Sequence, residues 1–256
     1  MDDGIRIDWY DLEDTDRDSY LDWLHLTHIP EVVARPGVAW AAHYEIERTH
    51  DMMKRLTGYV GRPDESEDIP TGSQYAFLVG AASPHVFFMP GYDDIDEANP
   101  RTVDMRRLRA GTKTVVTTEQ ARVNGPEFAT RPPGATPGPF IQLGHFRVRS
   151  IEEEFDLSSW YANYRLPTIT AMTGAIAARK LVTVAGWVKH VILYEFVSRD
   201  AHEEHFMGHE ALAFSDGEWT NRVVTYTQHA PGSPSIAARI WPLVTARESA
   251  IISETL

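Results

Sequence analysis

The strongest constraint on this chain is that part of it occurs twice. Set over one another, residues 20–37 and 157–174 pair Trp23 with Trp160, Pro30 with Pro167, Ala34 with Ala171 and Gly37 with Gly174, all at an offset of 137. A second match pairs Val115, Val116, Thr117 and Gln120 with Val223, Val224, Thr225 and Gln228 at an offset of 108. The two matches keep their order along the chain. Duplication of one supersecondary unit accounts for both, with about 29 more residues between them in the first copy than in the second. A chain of 256 residues has room for two domains of ordinary size, and at 43% hydrophobic it can bury a core in each.

Each copy reads as strand, helix, strand, strand, helix, strand. In the first, Ile5–Asp11 alternates apolar and polar residues, the period of a half-buried strand. Asp14–Ser19 is an acidic helix entry, where carboxylates meet the positive end of the helix dipole. Leu21, Leu24, Leu26, Ile29, Val32 and Val33 then form an apolar stripe, and Arg35, Pro36 and Gly37 end the helix. Val38–Ile46 and Tyr75–Ala81 are the middle strands, joined by the polar stretch Arg48–Ser73. Val103–Leu108 belongs to a short second helix, and β-branched Lys113–Thr118 is the last strand. The second copy follows with strand Ile141–Arg149, helix Ser158–Met172, strands Ala177–Val184 and Val188–Val197, helix Ala201–Leu212 and a last strand Arg222–Gln228. Pro30 and Pro167 fall inside the two long helices and should distort the turn before them. Asn124–Pro139 is rich in proline and glycine and reads as a linker, which divides the chain into 1–123 and 140–256.

The pattern Trp23, His28, Pro30, Pro36, Gly37, with a strand on either side, resembles the ferredoxin-like dimeric α+β-barrel families. It is most similar to the branch named after the EthD proteins of ether-degrading bacteria. The second copy departs from that pattern at Arg165, which replaces the histidine, and at Thr173, which replaces the first turn proline. The resemblance implies an α+β fold in which two βαββαβ units in tandem pack their sheets into a barrel. Such families include cofactor-free isomerases, cyclases and lyases, quinol-type monooxygenases and heme enzymes, so the fold leaves the reaction open.

Among residues that could carry chemistry, His28 is the first candidate, because imidazole exchanges protons near neutral pH and a distorted helix can open towards a pocket. Arg165 holds the equivalent position in the second copy; its guanidinium cannot lose its proton but binds an oxyanion through its rigid fork. His25 lies one turn before His28. Of His43 and Tyr44 only one can face the barrel, whereas His145 and Arg147 share a face. Tyr44 is a candidate hydrogen-bond donor, and Trp23, Trp40 and Trp160 belong to an aromatic surplus, with Tyr75, Phe77, Phe87, Phe88, Tyr161 and Trp187, that can line an apolar pocket. His202, His205 and His209 fall on one helical face, but their spacing is not that of a zinc-protease helix and two consecutive glutamates suit a solvated surface, so no metal is expected.

The formal charge of −13 disfavours nucleic acid and anionic membranes. With no cysteine, thiolate chemistry and disulfides are excluded. The acidic start lacks the apolar stretch of a signal peptide and no run of apolar residues is long enough to span a bilayer, so a cytoplasmic protein is expected. The expected function is a cofactor-independent lyase, dehydratase or isomerase acting by acid–base chemistry on a small apolar, aromatic or ketonic metabolite. His28 would move the proton, Arg165 or Arg147 would hold the oxyanion, and Tyr44 would donate a hydrogen bond. The alternatives are a non-catalytic small-molecule binding protein and a heme or metal oxidoreductase of the same fold. A homodimer is left open.

Overall fold

The computed structural model of the chain describes residues 2–47, 68–130, 136–209, 219–245 and 248. Most of the Arg48–Ser73 connection, residues 131–135 of the expected linker and the end of the 201–212 helix lie outside the described residues.

The first unit runs β1 (Gly4–Asp11), α1 (Arg17–Trp23), α2 (Ile29–Val33), β2 (Val38–Ile46), β3 (Tyr75–Ala81), α3 (Tyr92–Glu97), α4 (Pro100–Arg107) and β4 (Ala110–Asn124). The second runs β5 (Phe140–Arg147), α5 (Ile151–Trp160), α6 (Leu166–Ile169), β6 (Ala175–Gly186), β7 (His190–Phe196), α7 (Arg199–Ala201), α8 (Trp219–Tyr226), a two-residue β8 (Gln228–His229) and β9 (Ser235–Trp241). All strand pairs are antiparallel, in the order β4-β1-β3-β2 in one unit and β9-β5-β7-β6 in the other. Both are the 4-1-3-2 order of a βαββαβ unit. β2 pairs with β9 and β4 with β6, so the two sheets close into one eight-stranded barrel.

Strand alternation then divides the core. Ile5, Ile7, Trp9, Ala42, Tyr44, Ile141, Leu143 and Leu193 point into the barrel. The other faces of the same strands meet the helices in two separate clusters, one around Tyr10, Tyr20, Trp23 and Phe77, the other around Phe146, Trp160, Tyr194 and Phe206.

The expected distortion before each proline is a π-helical turn. Leu24–His28 stands between α1 and α2, and Tyr161–Arg165 between α5 and α6, with Pro30 and Pro167 in the first turn of the helix that follows. Proline has no N–H to close the ordinary i→i−4 bond, and the widened turn absorbs the mismatch. Both helices end at a glycine with positive φ, 85° at Gly37 and 77° at Gly174, where a side chain would be strained. A Cβ at either would also sit within 2.7 Å and 2.4 Å of Val86 and Ala201.

One expectation is overturned. Residues 222–228 are not the last strand; most of them belong to α8, and the strand that closes the unit is β9. Val223, Val224 and Thr225 favour strands intrinsically, but packing overrides that weak preference. Val223 and Tyr226 are buried against the second unit, and Trp219, Arg222 and Tyr226 all reach Asp156 of α5. The offset-108 match therefore pairs a strand with a helix and is no trace of duplication, and the 29-residue difference loses its basis. Among the described residues no helix is long and apolar enough to cross a membrane.

Candidate active site

Each unit has a pocket between its sheet and its π-turn helix, and the two differ. In the second unit the pocket lies between β5, β7 and the helices α5 and α8, and encloses about 620 Å³ of empty space, its mouth included. Gln142, Gly144 and Phe146 alternate along β5 to form the floor, Trp160, Tyr161 and Arg165 come from the end of α5 and its π-turn, and Thr227 and His229 close one side. Arg165 is buried. Its Nε donates to the Tyr194 hydroxyl at 2.8 Å, and its guanidinium lies 4.5 Å from the Phe206 ring centre, 4.9 Å from Tyr194 and 5.6 Å from Trp160. Cation–π contact is worth more when both partners are out of water. The π-turn is what aims Arg165 at these rings rather than along the helix surface. Trp160 Nε1 is tied to Thr220 Oγ1 at 3.2 Å, which leaves its ring as a pocket wall. Burial lowers His229 to about 4, so its imidazole is neutral at pH 7, and Nδ1 lies 2.8 Å from Ser233 Oγ.

In the first unit the corresponding pocket is narrower, about 280 Å³, and crowded with ion pairs. Arg6 and Arg109 flank Asp8, and Arg35 and Arg106 flank Asp96. His28 stands at the end of its π-turn, stacked on Trp23 at 4.7 Å, with Nδ1 3.9 Å from Asp96 and without a hydrogen-bond partner. Burial lowers its pKa to about 4 against the attraction of Asp96. His25 and His43 lie beyond it on the same side of the sheet, 2.8 Å apart.

The barrel interior takes the remaining candidates. Tyr44 faces inward and His43 outward, as alternation requires. The Tyr44 hydroxyl donates to the carbonyls of Pro137 and Gly138, both at 3.0 Å, and Trp40 Nε1 donates to Asp2 at 2.7 Å. His145 and Arg147 share the inward face. His145 packs on Trp9 with Nε2 3.2 Å from Lys113 Nζ, while Arg147 at the mouth donates to Gln228 and covers Trp187. The structure thus brings Arg165 and Trp160 together, places His28 and Trp23 in the other pocket, and sets Tyr44, Trp40, His145 and Arg147 in the barrel. His28, Arg165 and Tyr44 do not meet, which corrects the expected three-residue site: helices of different units carry the first two, and the barrel wall separates Tyr44 from both. His202 is buried with Nε2 2.8 Å from Gln142 Oε1, and among the described residues no group of three or more His, Asp or Glu side chains is arranged to hold a metal.

Sequence reasoning missed Tyr194, Gln142 and His229. The first two were accessible, because period 2 places Gln142 opposite His145 on β5 and Tyr194 on the helix-facing side of β7. His229 carries no such signal, since it follows α8, whose Val223, Val224 and Thr225 favour a strand locally.

No family model matches the chain, and no curated protein matches it in sequence. Its structure does have relatives. An anthrone oxidase-like protein superposes with a TM-score of 0.58 at 9% identity, covering 94% of this chain and 92% of the other. The fold is that of the dimeric α+β barrels. A Fusobacterium nucleatum protein of monooxygenase type superposes at 0.53 and 10% identity over 92% and 90% of the two chains. A chlorite dismutase mutant from Candidatus Nitrospira defluvii does so at 0.51 and 9% identity over 99% and 95%. At these identities the likeness is one of fold.

Proposed function

We propose that this chain is an oxidoreductase of the monooxygenase type that binds a phenolic or enolisable aromatic molecule in the second-unit pocket. Arg165 carries this reading. A guanidinium that keeps its charge, buried at the head of an apolar pocket and seated on three rings, stabilises an oxyanion as it forms. The aromatic walls bind the body of the molecule and the cation holds its oxygen. His229, neutral at pH 7, is the base that takes the proton. The resulting phenolate or enolate is electron-rich enough to pass one electron to dioxygen, which yields a substrate radical and superoxide without a metal. Ionisation of the substrate is also the first step of the lyase or isomerase chemistry expected from sequence, so the two reactions share this pocket. The fold neighbours named for anthrone oxidase and monooxygenase favour oxidation. The EthD-like helix motif is the finer kinship we propose for the tryptophan, π-turn and proline that both units carry.

One observation supports a second reading, heme. His229 lines the pocket with Nδ1 fixed by Ser233, which leaves Nε2 as the atom that would hold the iron, and Arg165 is the cation that would meet a propionate. Heme would supply the redox centre; the residues of this chain would orient it and exclude water.

The experiment is an oxygen-electrode assay of the purified protein with a panel of phenols and aromatic ketones, alongside its absorption spectrum. Oxygen uptake with one of them, lost in Arg165→Gln, is the expected result. Turnover without oxygen uptake returns the chain to lyase or isomerase chemistry, and a Soret band lost in His229→Ala selects heme. Tight binding with no turnover makes it a binding protein.

A further inference from the structure

Tyr10, His43 and His25 form a row that neither pocket uses. The Tyr10 hydroxyl lies 2.7 Å from His43 Nε2, and His43 Nδ1 lies 2.8 Å from His25 Nε2. Tyr10 and His43 are fully buried, whereas His25 is half-buried and stacked on Trp241 at 5.2 Å. When Tyr10 donates to His43, that imidazole carries its proton on Nδ1 and donates it to His25, so a single direction runs through the row. Burial keeps both imidazoles neutral at pH 7, and each offers a lone pair to an arriving proton.

A phenol hydrogen-bonded to a neutral imidazole gives up an electron more readily than an isolated one, because its proton leaves at the same time and no cationic phenol radical forms. The neighbouring rings suit the same event. Tyr20 and Tyr75 stand 5.7 and 5.8 Å from Tyr10, and Trp23 stands 5.4 Å from Tyr20, all within reach of an electron hop between oxidisable rings. Arg109 explains why a second histidine is needed. Its guanidinium lies 4.5 Å over the Tyr10 ring, only partly offset by Asp8 at 3.0 Å. A proton left on His43 would put a second positive charge in this poorly screened place. Handing it on to His25 takes the charge to the rim.

We propose that Tyr10 is a redox-active tyrosine, with His43 as its proton acceptor and His25 as the exit to solvent. The oxidant is an organic peroxyl radical. Tyr10 loses one electron and its hydroxyl proton and becomes the neutral phenoxyl radical. That proton bonds to His43 Nε2 as the Nδ1 proton passes to His25, which releases its own to water. The peroxyl radical takes the electron and a proton from water and becomes a hydroperoxide. The inference rests on the oxidoreductase reading only for the source of that oxidant, which forms when the substrate radical adds a further dioxygen.

The test supplies the oxidant from outside: flash-generated ruthenium(III) tris-bipyridine, with freeze-quenched electron paramagnetic resonance. The wild-type protein should form one dominant tyrosyl radical at neutral pH, with a solvent deuterium isotope effect on its formation. Tyr10→Phe should abolish that signal, and His43→Asn should slow its formation by about 10²-fold, the lower end of what a positioned proton acceptor contributes. His25→Gln, at a half-buried site that leaves the core untouched, should slow it severalfold. An unchanged signal in Tyr10→Phe overturns the proposal. If the two buried variants do not fold, an unchanged rate in His25→Gln without an isotope effect overturns it instead. Because no substrate enters the assay, its outcome is independent of the oxygen-electrode result.

Discussion

The same turn of helix ends in His28 in one unit and Arg165 in the other, and the surroundings have followed the residue. Around His28 four arginines and two buried aspartates interlock, and the space left is about 280 Å³. Around Arg165 three ring faces and the Tyr194 hydroxyl meet the guanidinium, and the pocket, its mouth included, encloses about 620 Å³. The two arrangements teach how one kind of pocket can be filled in two ways. Ion pairs need close, directional contact and so fill a cavity, whereas rings receive a cation on a broad face and leave room beside it.

That contrast can be broken at either end. The largest effect is expected from Asp96→Ala, which strands Arg35 and Arg106 in the first unit. Breaking a buried pair costs about 3–5 kcal/mol, to be read from denaturant melts, while ligand binding by the second unit stays intact. If binding falls in step with stability, the pockets are not independent. Next comes Arg165→Met, similar in length and uncharged. Loss of one oxyanion-stabilising group costs about 10²–10³-fold in kcat, and a variant that turns over normally would remove the second pocket from the chemistry.

Acid should act mainly on the buried histidines. His28 has a folded pKa of about 4 against an ordinary 6.5, so the unfolded chain takes up its proton first. Stability is complete above about pH 6.5 and is lost as the pH falls towards 4, by about 3 kcal/mol for a shift of this size. Melts of His28→Phe between pH 7 and 4 should show a shallower decline than the wild type; parallel curves would mean that His28 titrates normally. The smallest effect is expected from His28→Ala on turnover, a change within about threefold, since a histidine outside the reacting pocket contributes nothing to the transition state. A loss near 10²-fold would place the chemistry in the first unit, as the sequence alone suggests.

Much of this fold was legible from local pattern. β2 and β3 span the residues the sequence predicts for them, Val38–Ile46 and Tyr75–Ala81. The two prolines foretold a distorted turn, and Trp23 with Gly37 against Trp160 with Gly174 foretold the tandem units. The last strand was not legible, because Val223, Val224 and Thr225 prefer a strand locally and become helical only by packing on α5. The candidate site was half legible. The equivalence of His28 and Arg165 is written in the repeat, but which of them faces open space depends on Phe206, Tyr194, Asp8 and Asp96, brought to them from distant strands and helices. Residue type alone favours His28, while burial and its ion-paired surroundings decide what that histidine can do.

The way the barrel closes has a consequence for how the chain is made. β2 and β4 present open edges until β9 and β6 arrive, and at ~5–20 residues per second β9 follows β4 from the ribosome by roughly 6–25 s. During that interval the N-terminal half is a four-stranded sheet with two bare margins, the state from which strands add to the wrong neighbour. A second nascent or refolding chain offers the very strands those margins are shaped to accept. Refolding at high concentration should therefore yield dimers that have exchanged C-terminal halves, each barrel assembled from two chains and each with both pockets complete.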